Sequence, residues 1–460
     1  MRLTLCLRKA IPLKDFMKMS SQPAKRPSPP SLSPQKRTRL LPASPSTSTT
    51  TSTTTSSASK SRSKKEKEAQ PIDSLTLSFL GTSAGKPSVQ RNVSCLVMKA
   101  AGKAWVFDVG EGSQRQFMRS RGEAQVRLGA VRKVFVSHLH GDHVLGLAPL
   151  LLSIPKPENA DGEVPTVQIY GLPGLRALLR LTFRLTWNFP ECRFQVNELH
   201  SRHVRHKNFR AGELEALGHP DSLVYNEVRG ENIECSDPDG RIWRDICIDE
   251  TLSVDAGTIL HRVPCVGYVV KEAPRRQKFD IDSLKPVLER NRNALLEQKG
   301  IKNPLILLGQ LQRDRIPIEL PDGTVLQPPA LDRPGRKLTI LGDTFDANNI
   351  VSIAHDSSVL VHECTNAYIP RLDVDTNAEE VRKKAKDHGH STPEVAGALA
   401  KAIDAKMLLL NHLSPRYKLD SEEEDDDISK EIARQASVAW GGGEAITTRD
   451  FFTVSIPLPS

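Results

Sequence analysis

Strands that come first in a hairpin and later alternate with helices predict an α/β fold whose sheets pack inside helical layers. Three observations carry this. Apolar runs of strand length recur between residues 75 and 455, helical periods follow several of them, and histidines or aspartates stand where the strand-like runs end.

Leu75 to Phe79 alternates like a half-buried strand and runs into the turn Gly81-Thr-Ser-Ala-Gly85. Val93 to Lys99 and Ala104 to Phe107 form two more strands around Ala101-Gly102, a hairpin. Gly110-Glu-Gly-Ser113 caps a helix through about Arg121. The β-branched Val134 to Val136 is a strand, Leu145 to Leu152 a helix, Val167 to Tyr170 a strand, and Leu175 to Leu185 a helix. After an interruption come the strands Lys337 to Leu341 and Val359 to Val361, the helix Pro393 to Ile403, and the strand Met407 to Leu410.

Composition sets the limits. A chain of 460 residues holds two or three ordinary domains, or one large domain with insertions. No apolar run approaches the ~20 residues a bilayer-spanning helix needs, so no membrane is expected as a partner. Seven cysteines lie scattered at 6, 95, 192, 235, 247, 265 and 364 without a C-x-x-C pair. That usage fits a reducing, intracellular compartment and not a secreted disulfide framework.

The net charge of +9 belongs to the tail. Residues 1–70 carry 15 Lys/Arg against Asp15, Glu66 and Glu68, so the body at 71–460 is slightly acidic. The tail is Ser/Thr/Pro-rich and cannot bury enough apolar surface to offset its ordering entropy; it is read as disordered. Lys25-Arg26 and Lys36-Arg37-Thr38-Arg39 resemble a bipartite nuclear signal, whereas the first nineteen residues also suit a mitochondrial transit peptide. Nucleus and mitochondrion both stay open.

Three stretches depart from the regular pattern. Residues 200–250 are polar and irregular, an insertion whose His200, His203 and His206 read as surface histidines. Residues 271–335 project as a basic, loop-rich arm: Lys271 to Arg315 counts 11 basic residues against six acids. Such a surface suits a phosphate backbone, with Arg275, Arg276, Lys278 and Arg290 as candidate contacts. The acidic run inside 419–430 reads as a solvated loop.

The chemistry concentrates in S-H-L-H-G-D-H at 137–143. It places His138, His140, Asp142 and His143 on the turn between a strand and a helix. Alternation points His138 and His140 one way and Asp142 and His143 another, which suits two metals better than one. Imidazole and carboxylate are zinc donors, and a catalytic zinc keeps a position open for water. Further donors end other strand-like runs: His261 after Ile259-Leu260, Asp343 after Leu338 to Gly342, and His412 after Leu408 to Asn411. An aspartate so placed can bridge two ions. Glu363 and His390 form a proton-shuttle pair, since the leaving oxygen of a hydrolysed ester needs a proton near neutral pH. Ser391-Thr392-Pro393 doubles as a helix start.

These motifs, in this order, resemble the short tRNA 3′-processing endonucleases (RNase Z, or tRNase Z) of the metallo-β-lactamase superfamily. F-L-G-T-S-A-G at 79–85, R-N-V-S at 91–94 and F-D-V-G-E-G-S-Q at 107–114 match the opening signatures. H-R-V-P-C-V-G-Y at 261–268, L-G-D-T at 341–344, H-E-C-T at 362–365, H-G-H-S-T at 388–392, N-H-L-S-P-R-Y at 411–417 and T-R-D-F at 448–451 follow. The resemblance implies a metallo-β-lactamase four-layer αβ/βα sandwich holding two zinc ions. His138, His140 and His261 would hold one, and Asp142, His143 and His412 the other, with Asp343 bridging. Asp142 would orient the attacking water, and Glu363 with His390 would serve the leaving group. Cleavage of precursor tRNA after the discriminator base, leaving a 3′-hydroxyl, is the implied reaction, and a homodimer the expected assembly. Arg91, in a loop that touches the tRNA 3′ end, joins the candidate contacts. That loop, P-S-V-Q-R-N at 87–92, departs from the family at Val89 (usually lysine) and Gln90 (usually acidic), and the arm carries Asn303-Pro304 for the usual Gly-Pro. The competing expectations are another hydrolase of this fold, acting on small phosphodiesters or thioesters, and a non-catalytic RNA-binding scaffold.

Overall fold

Two sheets lie face to face with helices on their outer sides, the four layers that the resemblance implies. The computed structural model describes residues 72–156, 165–204, 215–249, 251–274, 279–328, 333–417 and 422–459, all within the unit Lys67–Ser460. The tail with its two basic clusters, and Arg275, Arg276, Lys278 and His206, lie outside the described residues.

In the first sheet, β1 (Leu75–Gly81), β2 (Cys95–Ala100) and β3 (Lys103–Phe107) pair antiparallel. β4 (Val131–Phe135), β5 (Thr166–Gly171) and β6 (Arg193–His200) continue parallel. The short β7 (Glu227–Val228) and β8 (Asn232–Glu234) both pair with β6. The second sheet begins with the antiparallel β9 (Ile242–Asp249), β10 (Leu252–Ile259) and β11 (Cys265–Glu272). An arm follows, ending in the small hairpin of β12 (Ile318–Glu319) and β13 (Val325–Leu326). β14 (Lys337–Ile340) then pairs antiparallel with β11, while β15 (Val359–Glu363), β16 (Leu408–Asn411) and β17 (Ile446–Thr447) add in parallel. β18 (Thr453–Ser455) returns antiparallel to β1, so the chain's last strand closes its first sheet.

Strand alternation builds the layers. In β2, Leu96 and Met98 enter the core between the sheets, and Cys95 and Val97 face the helices Ser113–Arg119, Leu147–Ser153 and Leu175–Thr186. In β15, Val359 and Val361 point into the inter-sheet core, and Leu360 faces the helices Pro393–Ala402 and Glu422–Trp440. The buried pair Arg336–Glu272 (2.6 Å) clamps the root of the arm, and Arg336 also donates to the carbonyls of Ile72 and Ile456, near both ends of the described fold.

Four sequence expectations need correction. The stretch 200–250 is not irregular where it is described: it supplies β7, β8 and β9, while 205–214 and 250 lie outside the described residues. Two- and three-residue strands carry no alternation, and what orders them is a helix elsewhere. Arg180 of Leu175–Thr186 makes a buried ion pair with Glu227 (2.7 Å), and Arg176 bonds the Glu231 carbonyl and Asn232. From Glu422 onward the acidic run is helix and not loop, its start at 419–421 lying outside the described residues; Ile428, Ile432, Ala436 and Trp440 of helix Glu422–Trp440 repeat every fourth residue toward the core. The arm is helical rather than loop-rich, with helices Ile281–Arg290, Arg292–Lys299 and Ile306–Asp314 around a small core of its own that includes Leu288, Leu295 and Leu311. Finally, the helix expected over Leu145 to Leu152 is split into Gly141–Val144 and Leu147–Ser153. At the break, a Cβ on Gly146 would lie 1.9 Å from the Gly110 carbonyl oxygen. Only glycine lets the metal-turn segment press this closely against the end of β3.

Candidate metal centre

The chain emerges from β4 extended through His140, then turns into Gly141–Val144. Extension sends His138 and His140 to one side, and the first helical turn sends Asp142 and His143 to another. Two tetrads result, and both use Asp343 from the end of β14: His138, His140, His261 and Asp343 form one, and Asp142, His143, His412 and Asp343 the other.

The distances suit metal. In the first tetrad, His140 Nδ1 lies 3.0 Å from His138 Nε2 and 3.3 Å from His261 Nε2, and Asp343 Oδ2 lies 3.7 and 3.9 Å from those two rings. In the second, His143 Nε2 lies 3.2 Å from His412 Nε2, 3.5 Å from Asp142 Oδ2 and 3.3 Å from Asp343 Oδ1. His412 Nε2 closes it, 3.3 Å from Asp142 Oδ2 and 3.4 Å from Asp343 Oδ1. Zinc ligands at ~2.0–2.2 Å in a tetrahedron stand roughly 3.3–3.6 Å from one another. Asp343 Oδ1 is buried and has no hydrogen-bond partner among the described residues, which is costly for a carboxylate unless a cation takes it.

Four of the five rings are held by their outer nitrogen. His143 Nδ1 meets Asp108 Oδ2 (2.8 Å), His261 Nδ1 donates to the Gly389 carbonyl (2.6 Å), His412 Nδ1 meets Thr365 Oγ1 (2.9 Å) and His138 Nδ1 meets Ser137 Oγ (3.0 Å). With Nδ1 spent on these partners, Nε2 turns its lone pair inward. Gly389 (φ 83°) is required here, because a Cβ there would sit 2.7 Å from His261 Nδ1. Two site residues that are not glycine also adopt left-handed backbone, Asp108 (φ 56°) and His412 (φ 57°); such strain collects at functional sites.

The electrostatics agree. Burial, and then the neighbouring rings, push His138 down, and burial brings His140 to about 4 and lowers His261, so all three are neutral, ligand-competent imidazoles. Burial would raise Asp142 and Asp343, but His143 and His412 outweigh it and hold both carboxyls below their usual range. His143 is driven up, against burial, by Asp343 and Asp108: a field that traps a proton there would favour a cation in its place.

Glu363 ends β15 and meets His390 Nδ1 at 3.0 Å. Its carboxylate also accepts from the Thr344 and Thr365 amides (3.0 Å each) and from Thr365 Oγ1 (2.6 Å). Burial would raise Glu363, and the His390 hydrogen bond more than offsets it; burial would lower His390, and Glu363 wins there too. The pair is therefore an ionised carboxylate beside an imidazole that readily carries a proton.

The fold thus brings together His138, His140, Asp142, His143, His261, Asp343, Glu363, His390 and His412. Arg91 is different: it is buried, and its guanidinium donates to Thr82 Oγ1 (2.9 Å) and the Thr448 carbonyl (2.7 Å), so it supports the loop at 87–92 from beneath. Arg290 is exposed on the arm and pairs with Asp322 (2.9 Å). His203 is exposed and bonds the Asp239 carbonyl. Sequence reasoning gave no role to Asp108, Thr365 or the Gly85 amide, which donates to Asp142 Oδ2 (2.7 Å). Asp108 had a signal available, since it follows a strand, β3, just as Asp343 and His412 do.

The metallo-β-lactamase superfamily profile matches residues 89–164. Human zinc phosphodiesterase ELAC protein 1 is 32% identical over 393 residues, covering 84% of this chain and 99% of that protein. Ribonuclease Z of Lactobacillus helveticus (strain DPC 4571) is 30% identical over 390 residues, covering 84% and 98%. The crystal structure of the short form of human tRNase Z superposes with a TM-score of 0.51 at 26% identity, over 83% of this chain and all of that one.

Proposed function

Since the chain belongs to the ribonuclease Z family of metallo-β-lactamase-fold hydrolases, we propose that it is a dinuclear-zinc endoribonuclease that removes the 3′ trailer of precursor tRNA. Cleavage falls after the discriminator base and leaves a 3′-hydroxyl on the tRNA. One observation carries the reading: two tetrads of zinc-type donors share a single buried carboxylate, Asp343.

Zinc ions held there would supply Lewis acidity at the scissile phosphate and an acidified water. The rest falls to the chain's own side chains. Asp142, fixed by the Gly85 amide, orients the attacking water. His390, protonated and held by Glu363, delivers a proton to the departing 3′-oxygen of the tRNA. The helical arm supplies cations for the tRNA body, and salt weakens that grip. The family resemblance supports a homodimer, and the basic clusters at 25–26 and 36–39 support nuclear import beside the mitochondrial alternative. No helix among the described residues is long and apolar enough to cross a membrane.

The test is cleavage of an end-labelled precursor tRNA with and without a zinc chelator, mapped to the nucleotide. One chelator-sensitive cut after the discriminator is expected. Turnover of a small diester with no cut in the precursor would overturn the substrate assignment and leave the fold standing.

A further inference from the structure

A recess of about 230 Å³ opens beside His390, lined by Phe345, Arg382, Lys386 and Val395 among others. Phe345, Arg382 and Val395 also line an adjoining cleft of about 450 Å³, so the two form one groove leading away from the metal ligands. Phe345 is two residues past Asp343 and half-buried, and the Lys386 ammonium lies 6.0 Å from its ring centroid. Its backbone is fixed to the site, because Phe345 N donates to the Leu260 carbonyl (2.9 Å), one residue before His261. Arg382 and Lys386 are one helical turn apart on Ala378–Asp387. Both are exposed, and neither forms an ion pair among the described residues. Two acids also line this groove: Asp346 turns an oxygen to the Asn348 amide (2.9 Å), and Glu394 accepts from Thr392 Oγ1 (2.6 Å).

We infer that this groove is a subsite for the last nucleoside of the tRNA, with its base stacked on Phe345 and its 5′-phosphate between Arg382 and Lys386. The inference rests on the reaction proposed above and follows from its polarity. His390 protonates the oxygen that stays with the tRNA as its 3′-hydroxyl. The nucleoside bonded to that oxygen must lie on the His390 side of the phosphate, where the aromatic ring and the two exposed cations are. An aromatic face accepts any base, and cations beside it suit a single strand leaving a duplex.

The test compares cleavage of precursor tRNA that is intact with precursor that lacks the base at its last tRNA position. The enzymes are the wild-type zinc-loaded protein, Phe345→Leu, Phe345→Trp, and the double variant Arg382→Ala/Lys386→Ala. For each protein the intact-to-abasic ratio of kcat/KM is read, which is independent of the fraction folded. The wild type should lose about tenfold on removal of the base, the scale of one stacking contact. Phe345→Leu should show a ratio near one, and Phe345→Trp should restore it. The double variant should lower the salt dependence on both substrates. A Phe345→Leu ratio equal to that of the wild type would overturn the subsite. A wild type that cuts no precursor at all would overturn the underlying reaction, and the subsite with it, before any variant is compared.

Discussion

Asp108 accepts the Nδ1–H of His143 across 2.8 Å, and the same carboxylate takes the Ser137 amide (2.7 Å) and the Ser137 hydroxyl (2.8 Å). Ser137 in turn meets His138 Nδ1. One residue outside both tetrads therefore aims a ring in each. Asp108→Ala is expected to weaken zinc retention by about 10- to 100-fold, the usual cost of losing such a partner. Asp108→Asn, which tolerates the left-handed backbone and keeps one acceptor, should fall between. Zinc per chain after dialysis against graded chelator reads this directly; wild-type retention in Asp108→Ala would show that the rings are held by packing alone.

Asp142 contributes one oxygen, Oδ2, to the second tetrad, while Asp343 contributes to both. Asp142→Ala should abolish precursor cleavage and leave tRNA binding within a few-fold of wild type, because the arm is distant in sequence and has its own core. Parallel filter-binding and cleavage assays separate the two. Strong residual cleavage would refute the role assigned to Asp142.

How much of this was legible follows from where each residue sits. His138, His140, Asp142, His143, His261, Asp343 and His412 could be picked out because each ends an apolar strand or opens the helix after it, and those boundaries show in one dimension. Asp108 obeys the same rule but was absorbed into the glycine-rich helix start that follows it. Thr365 acts through a hydroxyl shared between Glu363 and His412, a three-body contact that no spacing encodes. The short strands at 227–234 were hidden for a related reason, since Arg176 and Arg180 order them from a helix some fifty residues away. The helix at 422–440 is legible in the every-fourth-residue period of Ile428, Ile432, Ala436 and Trp440, although the unbroken charge at 422–427 has no apolar period of its own.

Glu363 and His390 set the expected pH response. Burial lowers His390, and the carboxylate of Glu363 more than reverses this, so its pKa lies above the ordinary 6.5. The proton donor is then intact below that raised value and is lost as pH rises through it. In Glu363→Gln the charge is gone and burial dominates, so the alkaline limb of kcat/KM should move to lower pH, with a lower rate near neutrality. A pH–rate profile decides. An unmoved limb would assign it to some other group.

The arm joins the body as an extended hairpin. Lys271 pairs with Lys337, and Glu272 N donates to the Arg336 carbonyl (2.8 Å), so the two ends stand side by side and a short turn can close them. Its leucines pack on one another in a core separate from the three that hold the layers together. Replacing 279–328 with such a turn, while keeping the Glu272–Arg336 clamp, should leave the melting temperature within a few degrees. Precursor KM should rise at least about tenfold, with a flatter dependence on salt, if several phosphate contacts are lost. Arg290 alone should matter little, because Asp322 already neutralises it. Arg275, Arg276 and Lys278, which this replacement keeps, should add to the loss when they are changed as well. An unfolded deletion variant would make the arm part of the scaffold, and an unchanged KM would mean that the tRNA is gripped elsewhere.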